Sequence, residues 1–186
     1  MLEIVVPACD SLWDPSAERF ITSKETKLVL EHSLVSVSKW EAKWKTPFLS
    51  NNRMTAEQLR HYVVCMTITQ NVDPNVYYAL SQENLKAIME YIEDPMTATT
   101  VNEKNLKMMQ KGPRGGKIIT SELIYYWMTA LNIPFECQKW HLNRLMMLIK
   151  VASVEQQPPK KMSRADAMSQ QRALNAARRA KLGTRG

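Results

Sequence analysis

Apolar residues change their spacing twice along this chain, and each change marks a change of structure. Residues 2–6 (Leu-Glu-Ile-Val-Val) and 26–31 (Thr-Lys-Leu-Val-Leu-Glu) are rich in β-formers and bounded by turn residues, with Arg19-Phe20-Ile21-Thr22 between them. That pattern predicts a small N-terminal sheet or hairpin within residues 1–32. From Leu34 the period becomes helical: Val37, Trp40 and Trp44 follow one another at three- and four-residue steps until Pro47 closes the run.

Further helices follow, each with its own start signal. Thr55 precedes a stripe of Leu59, Tyr62, Val63 and Met66, and Ser81 precedes Leu85, Ile88, Met89 and Ile92. Asp73-Pro74 sets a capping carboxylate before a proline suited to the first helical position. Thr120 or Ser121 opens a stripe of Leu123, Ile124, Trp127 and Leu131, and Pro134 is the expected start of a last core helix bearing Leu142, Leu145, Met146 and Ile149. Each stripe must be buried against another. The predicted fold class is therefore mainly α: a helical bundle (helices within 34–152) with a small N-terminal β element and a basic C-terminal helical arm.

Two stretches break the pattern. Residues 102–117 hold five Lys or Arg and end in Gly112-Pro113-Arg114-Gly115-Gly116, which sustains neither helix nor paired strand and reads as a basic excursion. After Gln157-Pro158-Pro159 the chain turns polar and Ala-rich. Ser163 and Asp166 have the spacing of a capping box, good helix formers run to Leu182, and Gly183 is the expected stop. On a helical wheel Arg164, Arg172, Arg178 and Arg179 occupy roughly a third of the circle, with Ala173, Ala176, Ala177 and Ala180 opposite. Such a helix has too few large apolar groups for a core and orders on a partner.

Charge sharpens this division. The chain is +7 overall, and residues 157–186 contain eight of its 25 basic and one of its 18 acidic residues. Residues 1–156 are thus neutral, with 17 of each sign. The reading is an α-rich body, 1–156, and a basic, partly disordered interaction tail, 157–186. No apolar run approaches the ~20 residues that span a bilayer, and Met1 to Pro7 lack the marks of a signal peptide. Three widely spaced cysteines suit a reducing compartment, so a cytoplasm is the expected location.

Candidate chemistry is sparse. His61 with Cys65 and Cys137 with His141 are i, i+4 pairs that two packed helices could merge into a tetrahedral zinc site. Free cysteine is commonly just a small buried residue, however, and no metal or cofactor is expected. No elbow presents a nucleophile to a base, and the Gly112–Gly116 run lacks the Lys-Ser/Thr of a phosphate-binding loop, so an enzyme is not expected. Trp40, Trp44, Tyr125, Tyr126, Trp127 and Trp140 read as core at helical spacing, with one of Tyr125 and Tyr126 facing out. The tail arginines with Leu174 form the candidate partner site. A protein partner ranks ahead of nucleic acid, which the same arginines could bind through phosphates.

The segments LVSVSKWEAKWKTPFL (34–49), CMTITQNVDPNVY (65–77), ITSELIYYWMTALNIPFECQKWHLNRLMMLIKV (119–151) and PPKKMSRADAMSQQRALNAARRAKLGTRG (158–186) resemble a family of small proteins of siphophages and prophages of Gram-positive bacteria. Its members look most like tail assembly chaperones. The resemblance implies binding to the phage tape-measure protein and delivery of tail-tube protein, with a homo-oligomer also possible. Alternatives are a head–tail connector, neck or minor tail component built into the virion, and a basic nucleic-acid-binding accessory protein. The 12 methionines suit an adaptable apolar surface and equally suit gap filling.

Overall fold

The computed structural model describes residues 1–14, 18–50, 54–100, 118–156 and 164–183. Its contacts divide the chain into two units, Met1–Val154 and Glu155–Gly186.

The first unit opens with four strands: β1 (Leu2–Val6), β2 (Cys9–Asp14), β3 (Arg19–Ser23) and β4 (Thr26–Leu30). β1 pairs antiparallel with β4 in a register that sets Ile4 opposite Leu28 and Val6 opposite Thr26. The strand period of two turns Ile4, Val6, Leu28 and Leu30 inward and leaves Val5 outside. β2 pairs with β3, with an irregularity between Cys9 and Leu12.

The expected small N-terminal β element is present, and β2 enlarges it enough that the helical-bundle expectation is corrected. The described fold is mixed α/β, with two two-stranded sheets at the N-terminus. Cys-Asp-Ser-Leu-Trp-Asp has no alternating apolar face. It is held as a strand by pairing with β3, where Trp13 and Phe20 stand opposite and meet edge to face at 5.1 Å.

Five α-helices follow among the described residues: α1 (Leu34–Trp44), α2 (Ala56–Met66), α3 (Gln82–Glu93), α4 (Ser121–Ala130) and α5 (Leu142–Glu155). Ser33, Thr55 and Ser81 each cap with a side-chain oxygen on the N3 amide, and the N3 side chain returns the bond. Thr120 caps α4. Two expected helix starts resolve differently. Asp73 accepts from the Asn75 amide and Pro74 follows it, but Pro74–Tyr78 makes only a 3₁₀ turn. Pro134 likewise leads into a 3₁₀ turn, Phe135–Lys139, and α5 begins eight residues later at Leu142. Its first-turn amide donates to the carbonyl of His32 at 2.7 Å, so the start of α5 is fixed by the chain beside it.

The core joins Val6, Leu28 and Leu30 to Leu34, Val37 and Trp40 of α1, Tyr62 and Met66 of α2, Ile88 of α3, Ile124 and Trp127 of α4, and Leu142, Leu145 and Ile149 of α5. Two polar ties cross it. The Trp40 indole donates to the Gln58 carbonyl at 2.9 Å. Buried Glu41 accepts from the Phe48 amide at 2.8 Å and the Ser121 amide at 2.7 Å, linking α1 to the chain after it and to the first turn of α4.

The second unit contains α6 (Arg164–Leu182). Gly183 ends it with φ +64°, a left-handed turn that glycine adopts without strain. Among the described residues no helix is long and apolar enough to cross a membrane. The basic excursion at 102–117 and the capping residue Ser163 lie outside the described residues.

Candidate functional site

α6 carries the candidate partner-binding residues. Arg172 and Arg179 are seven positions apart and align along the helix, and Arg178 lies one step of about 100° away. Every described side chain from Met168 to Gly183 is exposed, Arg172, Leu174, Arg178 and Arg179 included. The side chain of Arg164 lies outside the described set. Leu182 was not singled out from the sequence, yet it shares the arginine arc with Met168 and is 73% exposed. A large residue at the last turn of a helix reads as an ordinary terminus, and only its register with the arginines marks it. The face therefore mixes guanidinium groups with exposed apolar groups.

The four potential zinc ligands are arranged differently. Cys65 Sγ lies 3.7 Å from His61 Nδ1, the same nitrogen that receives the Trp44 indole N–H at 3.3 Å. Cys137 and His141 do not share a helix. Cys137 is buried in the 3₁₀ turn, whereas His141 sits in an isolated bridge with Ser33. His141 Nε2 donates to the Tyr91 carbonyl at 2.9 Å and Nδ1 accepts from the Asn143 amide at 3.3 Å, so both ring nitrogens are engaged by backbone. Among the described residues no three His, Cys, Asp or Glu side chains gather closely enough to share an ion.

A buried polar cluster occupies the junction of β4, α2, α3 and α5, and no sequence motif marked it. His32 Nδ1 is hydrogen-bonded to the Tyr62 hydroxyl. The His32 and His141 rings are 5.0 Å apart, and Tyr91 lies edge-on to His141 at 4.8 Å. The Tyr91 hydroxyl donates to Glu31 at 2.7 Å. Burial, reinforced by His141, lowers the His32 pKa to about 3, and burial holds the Tyr62 hydroxyl well above the ordinary tyrosine range. Both groups are uncharged at neutral pH. His32 is too weak a base, and Tyr62 too weak an acid, to exchange protons readily there, so the cluster acts as a polar joint.

Of the aromatic residues, Trp40 and Trp127 are buried, Tyr126 faces out at 64% exposure, and Tyr125 is half-buried with its hydroxyl on Gln138 at 3.0 Å. Trp140 is partly exposed beneath the Arg144 guanidinium, 4.6 Å from the ring centre. These rings do not form one continuous exposed platform. The chain matches no family model, no curated protein and no solved structure.

Proposed function

We propose that this chain is a tail assembly chaperone of a siphophage or prophage, not an enzyme, and that α6 is the arm with which it captures the tape-measure protein. The observation that carries the reading is the exposed mixed face of Arg172, Leu174, Arg178 and Arg179 on a helix outside the first unit. The resemblance of residues 34–49, 65–77, 119–151 and 158–186 to the phage family supplies the partner. A long helical partner with acidic and apolar positions suits such a face. Delivery of tail-tube protein in the host cytoplasm follows from the same resemblance.

Each exposed ion pair contributes about 0.2–1 kcal/mol, so a single Arg→Ala change leaves capture nearly intact. Replacing Arg164, Arg172, Arg178 and Arg179 together by Glu reverses the attraction and abolishes it. The test is co-purification of wild-type and four-Glu proteins with tape-measure fragments, beside a duplex-DNA titration at two salt concentrations. Tight, salt-dependent DNA binding without tape-measure capture would replace this reading with a nucleic-acid one.

A further inference from the structure

The C-terminal end of α2 presents an apolar, cationic surface that the arm does not explain. Two clefts of about 400 and 380 Å³ meet there, with Thr67 lining both. Val64 borders the first and Ile68 the second, and they are 41% and 51% exposed. Val64 on the last turn of α2 and Ile68 just past its extended C-cap Thr67 both lie outside the core, and each offers a partner an aliphatic anchor at its own cleft.

The surrounding charge is mainly positive. Lys43 and Arg60 line the first cleft, Lys39 and Lys139 the second. The ion pairs among the described residues are Met1–Glu31, Lys27–Glu3 and Lys86–Glu90, and none uses these four cations. Of the acids lining the clefts, Glu31 is already held by Tyr91 and Met1, which leaves Glu57. The field is felt locally. Burial lowers the His61 pKa first, and Lys43 adds to it, against Glu57. The Cys65 thiol is raised by burial despite the opposing pull of Lys39 and Lys43.

Aromatic faces hold two of these cations in place. The Arg60 guanidinium lies 4.2 Å from the centre of the Tyr78 ring, and the Lys43 ammonium 5.4 Å from that of Trp44. Those ring faces are therefore covered and offer nothing for a nucleobase to stack on. A phosphate backbone would use the cations and leave Val64 and Ile68 wet. A peptide with carboxylates flanking aliphatic side chains would use both.

We infer that the surface formed by Val64 and Ile68, with Lys39, Lys43, Arg60 and Lys139 around them, docks an acidic amphipathic segment of a partner protein. Its carboxylates pair with the four cations while its aliphatic side chains cover the two anchors. This surface belongs to the first unit and does not depend on what α6 binds.

The test uses the full chain and a fluorescein-labelled synthetic helical peptide with Glu on one face and Leu on the other. The controls are its Lys-for-Glu counterpart and a DNA duplex. Amide hydrogen exchange should show new protection across residues 60–69 with the Glu peptide, whatever happens at 164–182. Fluorescence anisotropy should show at least about tenfold weaker binding for Lys43→Glu with Arg60→Glu, and for Val64→Asp with Ile68→Asp. The Lys43→Glu/Arg60→Glu protein should in turn prefer the Lys peptide, which shows that it still folds. The inference is overturned if the peptide does not bind, if protection is confined to 164–182, or if the duplex protects 60–69 as strongly as the peptide. Protection at 60–69 alone would leave this surface standing and count against the arm.

Discussion

α2 and α6 are both helices with good capping or stop signals, and they differ in what lies across from them. α2 has 11 residues and buries Tyr62, Val63 and Met66 in a core shared with strands and four other helices. α6 has 19 residues, and none of its described side chains is buried. Length and propensity favour the longer helix, but packing favours the shorter one. An isolated helix of this length is marginal in water, whereas one turn of buried apolar side chains contributes several kcal/mol. The body is thus built to persist, and the role proposed for α6 is to order when a partner covers it.

A matched substitution exposes that difference most strongly. Leu142→Ala in the core should cost roughly 2–5 kcal/mol in denaturant unfolding, because it removes buried methylenes and leaves a cavity. The same change at Leu174, 54% exposed, should stay within about 0.5 kcal/mol. Equal effects would mean that α6 packs as core.

Next in size is Glu41→Ala. It strands the Phe48 and Ser121 amides, and the expected loss is about 2–4 kcal/mol, read as a lower denaturant midpoint. An unchanged midpoint would show that these bonds are replaced by water.

Acid should loosen the body through His32. Its folded pKa is depressed to about 3 from an ordinary 6.5, so between those values the unfolded chain takes up the proton and the folded chain does not. Stability is then full above pH 6.5 and declines as pH falls towards 3, by up to about 1.4 kcal/mol per unit. Between pH 7 and 5 the loss is about 2 kcal/mol, and the slope should flatten in His32→Gln. A slope that persists in that variant would assign the effect to other groups.

The smallest effect is expected from removing the arm. Truncation after Gln156 should leave the unfolding midpoint of the body almost unchanged, and a large drop would show the tail to be part of the core.

Much of this was legible from residue spacing. Ile4, Val6, Leu28 and Leu30 alternate as a half-buried sheet requires, and Thr55, Ser81 and Thr120 stand where three of the helices begin. β2 was not legible, because Trp13 and Phe20 stabilise it through a partner strand rather than through a pattern of its own. Pro134 misled for a related reason: a proline suits the first position of either helix type, and a bridge between Ser33 and His141 decides where α5 starts. The His32–Tyr62–His141 joint gathers residues from positions far apart in the chain, so no local spacing announces it. Val64 adjoins the apolar stripe of α2 and Ile68 lies just past the helix end, and a periodic pattern tells which face is apolar but not which neighbouring apolar residues stay outside.

Hydrogen exchange on the full chain, alone and with a tape-measure fragment, tests the central claim most directly. Exchange should be slow in α1–α5 in both samples, and fast across 164–182 until the fragment is bound. Protection of 164–182 in the free protein would contradict an arm that orders on its partner, and so would capture of the fragment with that segment still exchanging freely.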